Sequence, residues 1–162
     1  IVLAISNKPD AYILTRAKEH GIESRFIDAK NKTREEFDTE VMMMLEEKKV
    51  DLVLLIGYMR FISPLFVEKW RNKVMNVHPS LLPAFAGGMD LDVHEQVIES
   101  GVKETGCTVH FVDEGADTGP IIVQKKCTVE PSDTPLTLKQ KVQQLEGVAF
   151  IEAIEKVISQ KS

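Results

Sequence analysis

Two uninterrupted apolar runs, Ile1-Val2-Leu3-Ala4-Ile5 and Leu52-Val53-Leu54-Leu55-Ile56, constrain this chain most. A run that is apolar on every residue suits a strand buried on both faces, and such strands belong to parallel sheets covered by helices. The intervening sequence supplies those helices. Residues 10–20 carry Ile13, Leu14 and Ala17 at helical spacing, and Gly21 stops them. Residues 24–27 read as a short strand. Thr33-Arg34-Glu35-Glu36 fits a capping box. The helix behind it places Phe37, Val41, Met44 and Leu45 on one stripe, so the Met42-Met43-Met44 run reads as core packing rather than as a sticky surface.

The pattern continues through a short helix from Ser63-Pro64 to Trp70 and a strand over residues 73–78. A loop rich in Pro and Gly, 83–92, follows, and Asp92 or a neighbour caps a helix that ends at Gly101. Strands over 107–112 and 121–129 flank a turn-rich loop and predict an antiparallel hairpin. Thr134-Pro135 opens a long amphipathic helix. Alternating strands and helices imply right-handed crossovers. The expected fold is α/β: a three-layer sandwich around an open, mostly parallel sheet with an antiparallel C-terminal hairpin, as one domain over 1–162. Ligands in such sheets bind beyond the carboxyl ends of the strands, where Gly57 and His78 fall.

Composition narrows the function. The net charge of -5, with both signs interspersed, argues against a nucleic-acid partner. No apolar run approaches the ~18 residues of a membrane span. Two cysteines are too few for a disulfide scaffold, so a reducing, cytoplasmic setting is expected, an organelle remaining open. No metal is expected: Cys107-Thr108-Val109-His110 has a ligand-like gap but no second pair at zinc-site spacing.

The chemistry concentrates in Asn76-Val77-His78-Pro79-Ser80-Leu81-Leu82-Pro83. Asn76 and His78 are two apart on a strand and share a face, while Met75 and Val77 point into apolar surroundings. A carboxamide and an imidazole aimed at one point can stabilise an oxyanion and move a proton. Against this, a lone histidine or a strand-end asparagine is often structural. Asp117, in Asp117-Thr118-Gly119-Pro120, reads first as a turn former. If the hairpin folds back over the His78 strand end, its carboxylate can instead fix the imidazole tautomer. Glu146 borders the inward stripe Leu138, Val142, Leu145, Ala149 of the last helix, either at its solvated edge or as a ligand for a hydroxyl. Met59-Arg60-Phe61-Ile62 lines an apolar slot for a flat heterocycle or packs on the core. Gly87-Gly88 suggests a mobile flap. His94 is expected in solvent or at a helix end, and His110 inside a strand as a packed residue.

These segments, with Gly57-Tyr58-Met59-Arg60, stand in the order and spacing of a known family. From Ser6-Asn7-Lys8 to about Glu146 the chain resembles the phosphoribosylglycinamide formyltransferases of the formyltransferase superfamily. The resemblance implies formyl transfer from 10-formyltetrahydrofolate, as co-substrate, to the amine of glycinamide ribonucleotide in purine synthesis. Alternatives are a formyltetrahydrofolate deformylase or a non-catalytic folate-binding fragment. It implies catalytic roles for Asn76, His78 and Asp117. It implies a folate site at Met59, Arg60, Phe61 and Ile62 with Val112, Asp113, Glu114, Gly115 and Ala116, and substrate contacts at Glu146 and Gly57. The partners implied are small molecules, with the chain a monomer or a homodimer. The family opens with a strand and a glycine-rich phosphate turn that this sequence lacks, so an N-terminal truncation of about one strand–helix unit is expected. The loop 84–92 looks longer than in many relatives.

Overall fold

The computed structural model describes residues 1–160 and divides into two compact units. The first comprises Ile1–Val53 with Met59–Trp70. Strands β1 (Leu3–Ser6) and β2 (Glu23–Phe26) pair in parallel, Leu3 opposite Glu23 and Ser6 opposite Phe26. Helix α1 (Tyr12–Glu19) makes the crossover that parallel neighbours require. It buries Leu14 and Ala17, whereas Ile13, expected beside them, is exposed. Gly21 ends the turn at φ +67°, the left-handed conformation a glycine takes without strain.

Helix α2 (Arg34–Glu47) starts on the capping box read from the sequence: Thr33 accepts from the Glu36 N–H, and the Glu36 carboxylate accepts from the Thr33 N–H at 2.7 Å. Its buried face is Phe37, Asp38, Met42 and Leu45. The methionine run is therefore split, Met42 inward and Met43 outward, because consecutive residues turn through about 100°. Asp38 is buried because its carboxylate accepts from the Ser63 N–H at 2.5 Å, at the start of α3 (Pro64–Lys69). Ser63 in turn caps α3 by accepting from the Phe66 N–H.

The second unit comprises Leu54–Tyr58 and the chain from Arg71 onward. Its sheet runs in the order β3 (Val53–Leu55), β4 (Val74–His78), β5 (Glu104–Phe111), β6 (Ile121–Thr128). The run Leu52–Ile56 yields only this short strand, half-buried, with Ile56 exposed. Position explains the difference from expectation, since β3 is the edge of its sheet. The sheet is mixed. β5 runs antiparallel to β4 as well as to β6, so antiparallel pairing begins one strand before the hairpin. The β5–β6 register shifts at Val109/His110, where β6 carries one extra residue.

Helix α5 (Pro135–Gln160) packs on β5 and β6, and helix α4 (Leu91–Ser100) packs on α5. Thr134 and Thr137 cap α5 reciprocally: the Thr137 N–H donates to Thr134 Oγ1 and the Thr134 N–H to Thr137 Oγ1. The helix buries Leu138, Val142, Ala149, Phe150, Ala153 and Val157, with Leu145 half-buried. Opposite it lie Cys107, Val109 and Val123, all buried. No helix among the described residues is long and apolar enough to cross a membrane.

Candidate active site

The alternation of β4 and β5 sorts the unit's side chains onto two faces. Cα partners across an antiparallel pair share a face, and Asn76 pairs with His110, His78 with Thr108, and Thr108 with Gln124. Asn76, His78, Thr108, His110 and Gln124 thus form one polar face, while Met75, Cys107, Val109 and Val123 form the apolar one. Val77, placed among apolar neighbours by the sequence reading, is only half-buried. Cys107 and His110, three apart on β5, fall on opposite faces. Burial, reinforced by the Glu146 carboxylate, pushes the Cys107 thiol up to about 12.

Thr108 organises the segment that follows β4. Its hydroxyl donates to Ser80 O at 2.7 Å and accepts from the Leu82 N–H and from Gln124 Nε2, each at 3.0 Å. One donor and two acceptor sites are a hydroxyl's full capacity. Gln124 Nε2 also donates to Leu82 O at 3.0 Å. Both backbone polar groups of Leu82 are therefore held by side chains, and the chain leaving His78 is fixed.

Asp117 comes back over this face, as one of the two sequence readings required. Its Oδ2 lies 3.1 Å from His78 Nδ1 and accepts from the Gly87 N–H at 2.9 Å. Its Oδ1 lies 3.4 Å from His110 Nε2, an ion-pair contact too loose for a well-formed hydrogen bond. Burial alone pushes the Asp117 carboxyl up. His110, His78 and the Gly87 N–H outweigh it and hold the group well below the usual carboxylate range. Asp117 sits at φ +56°, in the left-handed region where Asp is one of the few side chains tolerated. Gly119 makes that turn possible: a Cβ there would stand 1.7 Å from Phe111 O. Asp113 braces the same loop, accepting from Thr118 Oγ1 at 2.6 Å and from the Gly115 N–H at 3.0 Å.

His78 is almost fully buried, and both its ring nitrogens face acceptors. Nδ1 meets the Asp117 carboxylate and Nε2 lies 2.8 Å from Phe85 O. Only the imidazolium has a donor at each nitrogen, so this pair of contacts is satisfied by the charged ring. The Asn76 carboxamide is half-buried and makes no hydrogen bond to another described residue. The structure therefore brings His78 and Asp117 together directly, with Asn76 two residues along the same face.

The other predicted residues take no part in that contact. Glu146 is half-buried on α5, where burial pushes its carboxyl up against the opposing pull of Lys139. It forms no hydrogen bond or ion pair with the three. Gly57 is exposed at φ +57°, just past β3. In the first unit Met59 and Phe61 are exposed, Ile62 is half-buried, and the Arg60 guanidinium stacks 4.8 Å above the Phe37 ring. In the second unit Val112 and Asp113 are half-buried, while Gly115 and Ala116 are exposed, as is Glu114, which pairs with Arg71. His94, expected in solvent or at a helix end, is instead buried on α4 with Nδ1 unpartnered.

Sequence reasoning did not assign Thr108, His110, Gln124 or the backbone groups of Phe85 and Gly87 to the site. The first two carried a signal: in Cys107-Thr108-Val109-His110 polar and apolar residues alternate, as they do in Met75-Asn76-Val77-His78.

Comparison with known proteins gives a consistent result. The model of the formyl transferase family matches residues 1–154. The trifunctional purine biosynthetic protein adenosine-3 of Drosophila melanogaster is 45% identical over 98% of the chain, which covers 12% of that protein. Its Homo sapiens counterpart is also 45% identical over 98% of the chain, which covers 16% of it. The chain thus spans about a sixth or less of these relatives. The phosphoribosylglycinamide formyltransferase of Bacillus subtilis is 37% identical, over 96% of the chain and 79% of that protein. The crystal structure of phosphoribosylglycinamide formyltransferase from Bacillus halodurans superposes with a TM-score of 0.90 at 40% identity, covering 100% of this chain and 82% of that one.

Proposed function

Because this chain belongs to the formyl transferase family, we propose that it transfers a formyl group from 10-formyltetrahydrofolate to the primary amine of glycinamide ribonucleotide, a step of purine synthesis. The observation that supports this reading is the contact of His78 Nδ1 with Asp117, on a strand that also presents an unpartnered Asn76 carboxamide.

The amine nitrogen attacks the formyl carbon and forms a tetrahedral intermediate. Its oxyanion takes hydrogen bonds from the Asn76 amide and from His78 Nε2–H. Each good donor of this kind is worth about 3–4 kcal/mol. Asp117 orients the imidazole through Nδ1. As the intermediate collapses, the bond from carbon to the folate nitrogen breaks. A proton from the substrate ammonium reaches that nitrogen, with the His78–Asp117 pair as the relay. Glu146 is the hydroxyl ligand for the ribose. The loop Val112–Ala116 offers backbone hydrogen-bonding groups to the folate.

The test is an assay of tetrahydrofolate and formate release with and without the ribonucleotide. Transfer requires tetrahydrofolate to form only when the amine is present, without free formate. Formate release at full rate in its absence would instead make the protein a hydrolase.

A further inference from the structure

In the arrangement described, the nitrogen that should meet the formyl oxygen is already taken. His78 Nε2 lies 2.8 Å from the carbonyl oxygen of Phe85, an sp² acceptor like the formyl oxygen itself. The proposal rests on the transfer reading above: we propose that residues 84–90 form a self-blocking lid, in which the Phe85 carbonyl occupies the formyl-oxygen position and an Asp90–Lys139 ion pair latches the segment shut.

Three features distinguish this segment from an ordinary loop. Phe85, Gly87 and Asp90 all hold left-handed backbone, at φ +57°, +77° and +49°. Two are not glycine, so the path is held by contacts rather than by intrinsic preference. The contacts are few and polar. Ala84 O accepts from Ser80 Oγ at 2.6 Å, Phe85 O from His78, and the Gly87 N–H donates to Asp117. Two of these end on the groups assigned to catalysis, so lid closure and substrate contact compete for the same atoms.

The third feature is the latch. Asp90 occupies the N-cap position of α4, where an aspartate usually accepts from the helix N–H groups. Here it makes no such bond and pairs with Lys139 of α5 instead. The sequence reading of Asp92 or a neighbour as the cap thus finds the position at Asp90, but the carboxylate is engaged elsewhere. The Lys139 ammonium is largely covered and also lies near Glu146 and His94. Closure further requires a residue without Cβ at position 88, where one would stand 2.7 Å from Cγ2 of the buried Val93.

Opening must then precede productive binding, and the apparent association rate scales with the open fraction. The experiment uses the whole chain, with 10-formyltetrahydrofolate as probe and no amine present. It measures amide exchange of Gly87 by NMR and the 10-formyltetrahydrofolate association rate by stopped flow. Asp90→Asn and Lys139→Gln each remove the latch. Both measures should rise together, about two- to fivefold for a partly exposed ion pair. Gly88→Ala should raise them by at least as much, with no change of charge. The charge-swapped double variant Asp90→Lys with Lys139→Asp should return both toward wild type. Unchanged exchange and association in all three single variants would overturn the lid, as would a fall in association. Neither measure needs turnover. A chain that shows this pattern but transfers no formyl group keeps the lid and loses the transfer reading.

Discussion

The polar face of β4–β5–β6 and the 84–90 segment meet at the same histidine, yet they are built in opposite ways. On the sheet face, Thr108 uses every hydrogen-bonding site it has, and Thr108, His110 and His78 are buried within regular strands. In the segment, most residues are exposed and much of the backbone is left-handed. Closure depends on a handful of polar contacts. Rigidity on one side fixes where the imidazole points. Loose attachment on the other decides when it is free. A site that must hold a geometry and also admit two substrates needs both.

Substitutions on the rigid side sharpen this contrast, because they should cost stability, which lid variants should not. The largest effect is expected from Gly119→Ala. Its Cβ would sit 1.7 Å from a backbone oxygen that cannot rotate away. Destabilisation of about 3 kcal/mol in urea titration is expected. A change under about 1 kcal/mol would mean that the Asp117 turn is not fixed by this packing.

Thr108→Val comes next. It removes the hydroxyl that joins Ser80, Leu82 and Gln124 while keeping the shape. A loss of about 2 kcal/mol follows from leaving buried groups unpaired. If stability is unchanged, the face is less committed than its hydrogen bonds imply.

Asp117→Asn separates the two regions by pH. The Asp117 carboxyl is depressed in the folded chain, so the unfolded chain takes up the proton first as pH falls. Its contribution is therefore present above the ordinary carboxylate range, about pH 4, and is lost as pH falls through its lower native value. Wild type should exceed Asp117→Asn in stability at pH 6, and the two curves should converge in acid. Parallel curves down to pH 2 would remove the charge from the account. The smallest effect lies outside the site: Thr33→Ala should cost about 1 kcal/mol through loss of the α2 cap, with the 10-formyltetrahydrofolate association rate untouched.

Legibility from sequence followed range. Local signals were reliable: the Thr33 capping box, the Ser63 cap of α3, the Gly101 stop of α4 and the shared face of Asn76 and His78 all appear where their spacing places them. Asp117 was legible only as a conditional, since its approach to His78 depends on a fold-back that no local pattern encodes. His94 was misplaced because helix entry and burial cannot be told apart without knowing what α4 packs against. The length of β3 was overestimated because an apolar run does not reveal whether a strand has one neighbour or two. The Phe85 and Gly87 backbone groups left no trace in the sequence, because any residue carries them.

The most direct test is turnover of His78→Ala and Asn76→Ala in glycinamide ribonucleotide formylation, measured beside their thermal unfolding. Loss of one oxyanion donor predicts a fall in kcat on the order of 100- to 1,000-fold for each, with cooperative unfolding retained. Near-normal turnover in either variant would contradict a centre built on these two side chains.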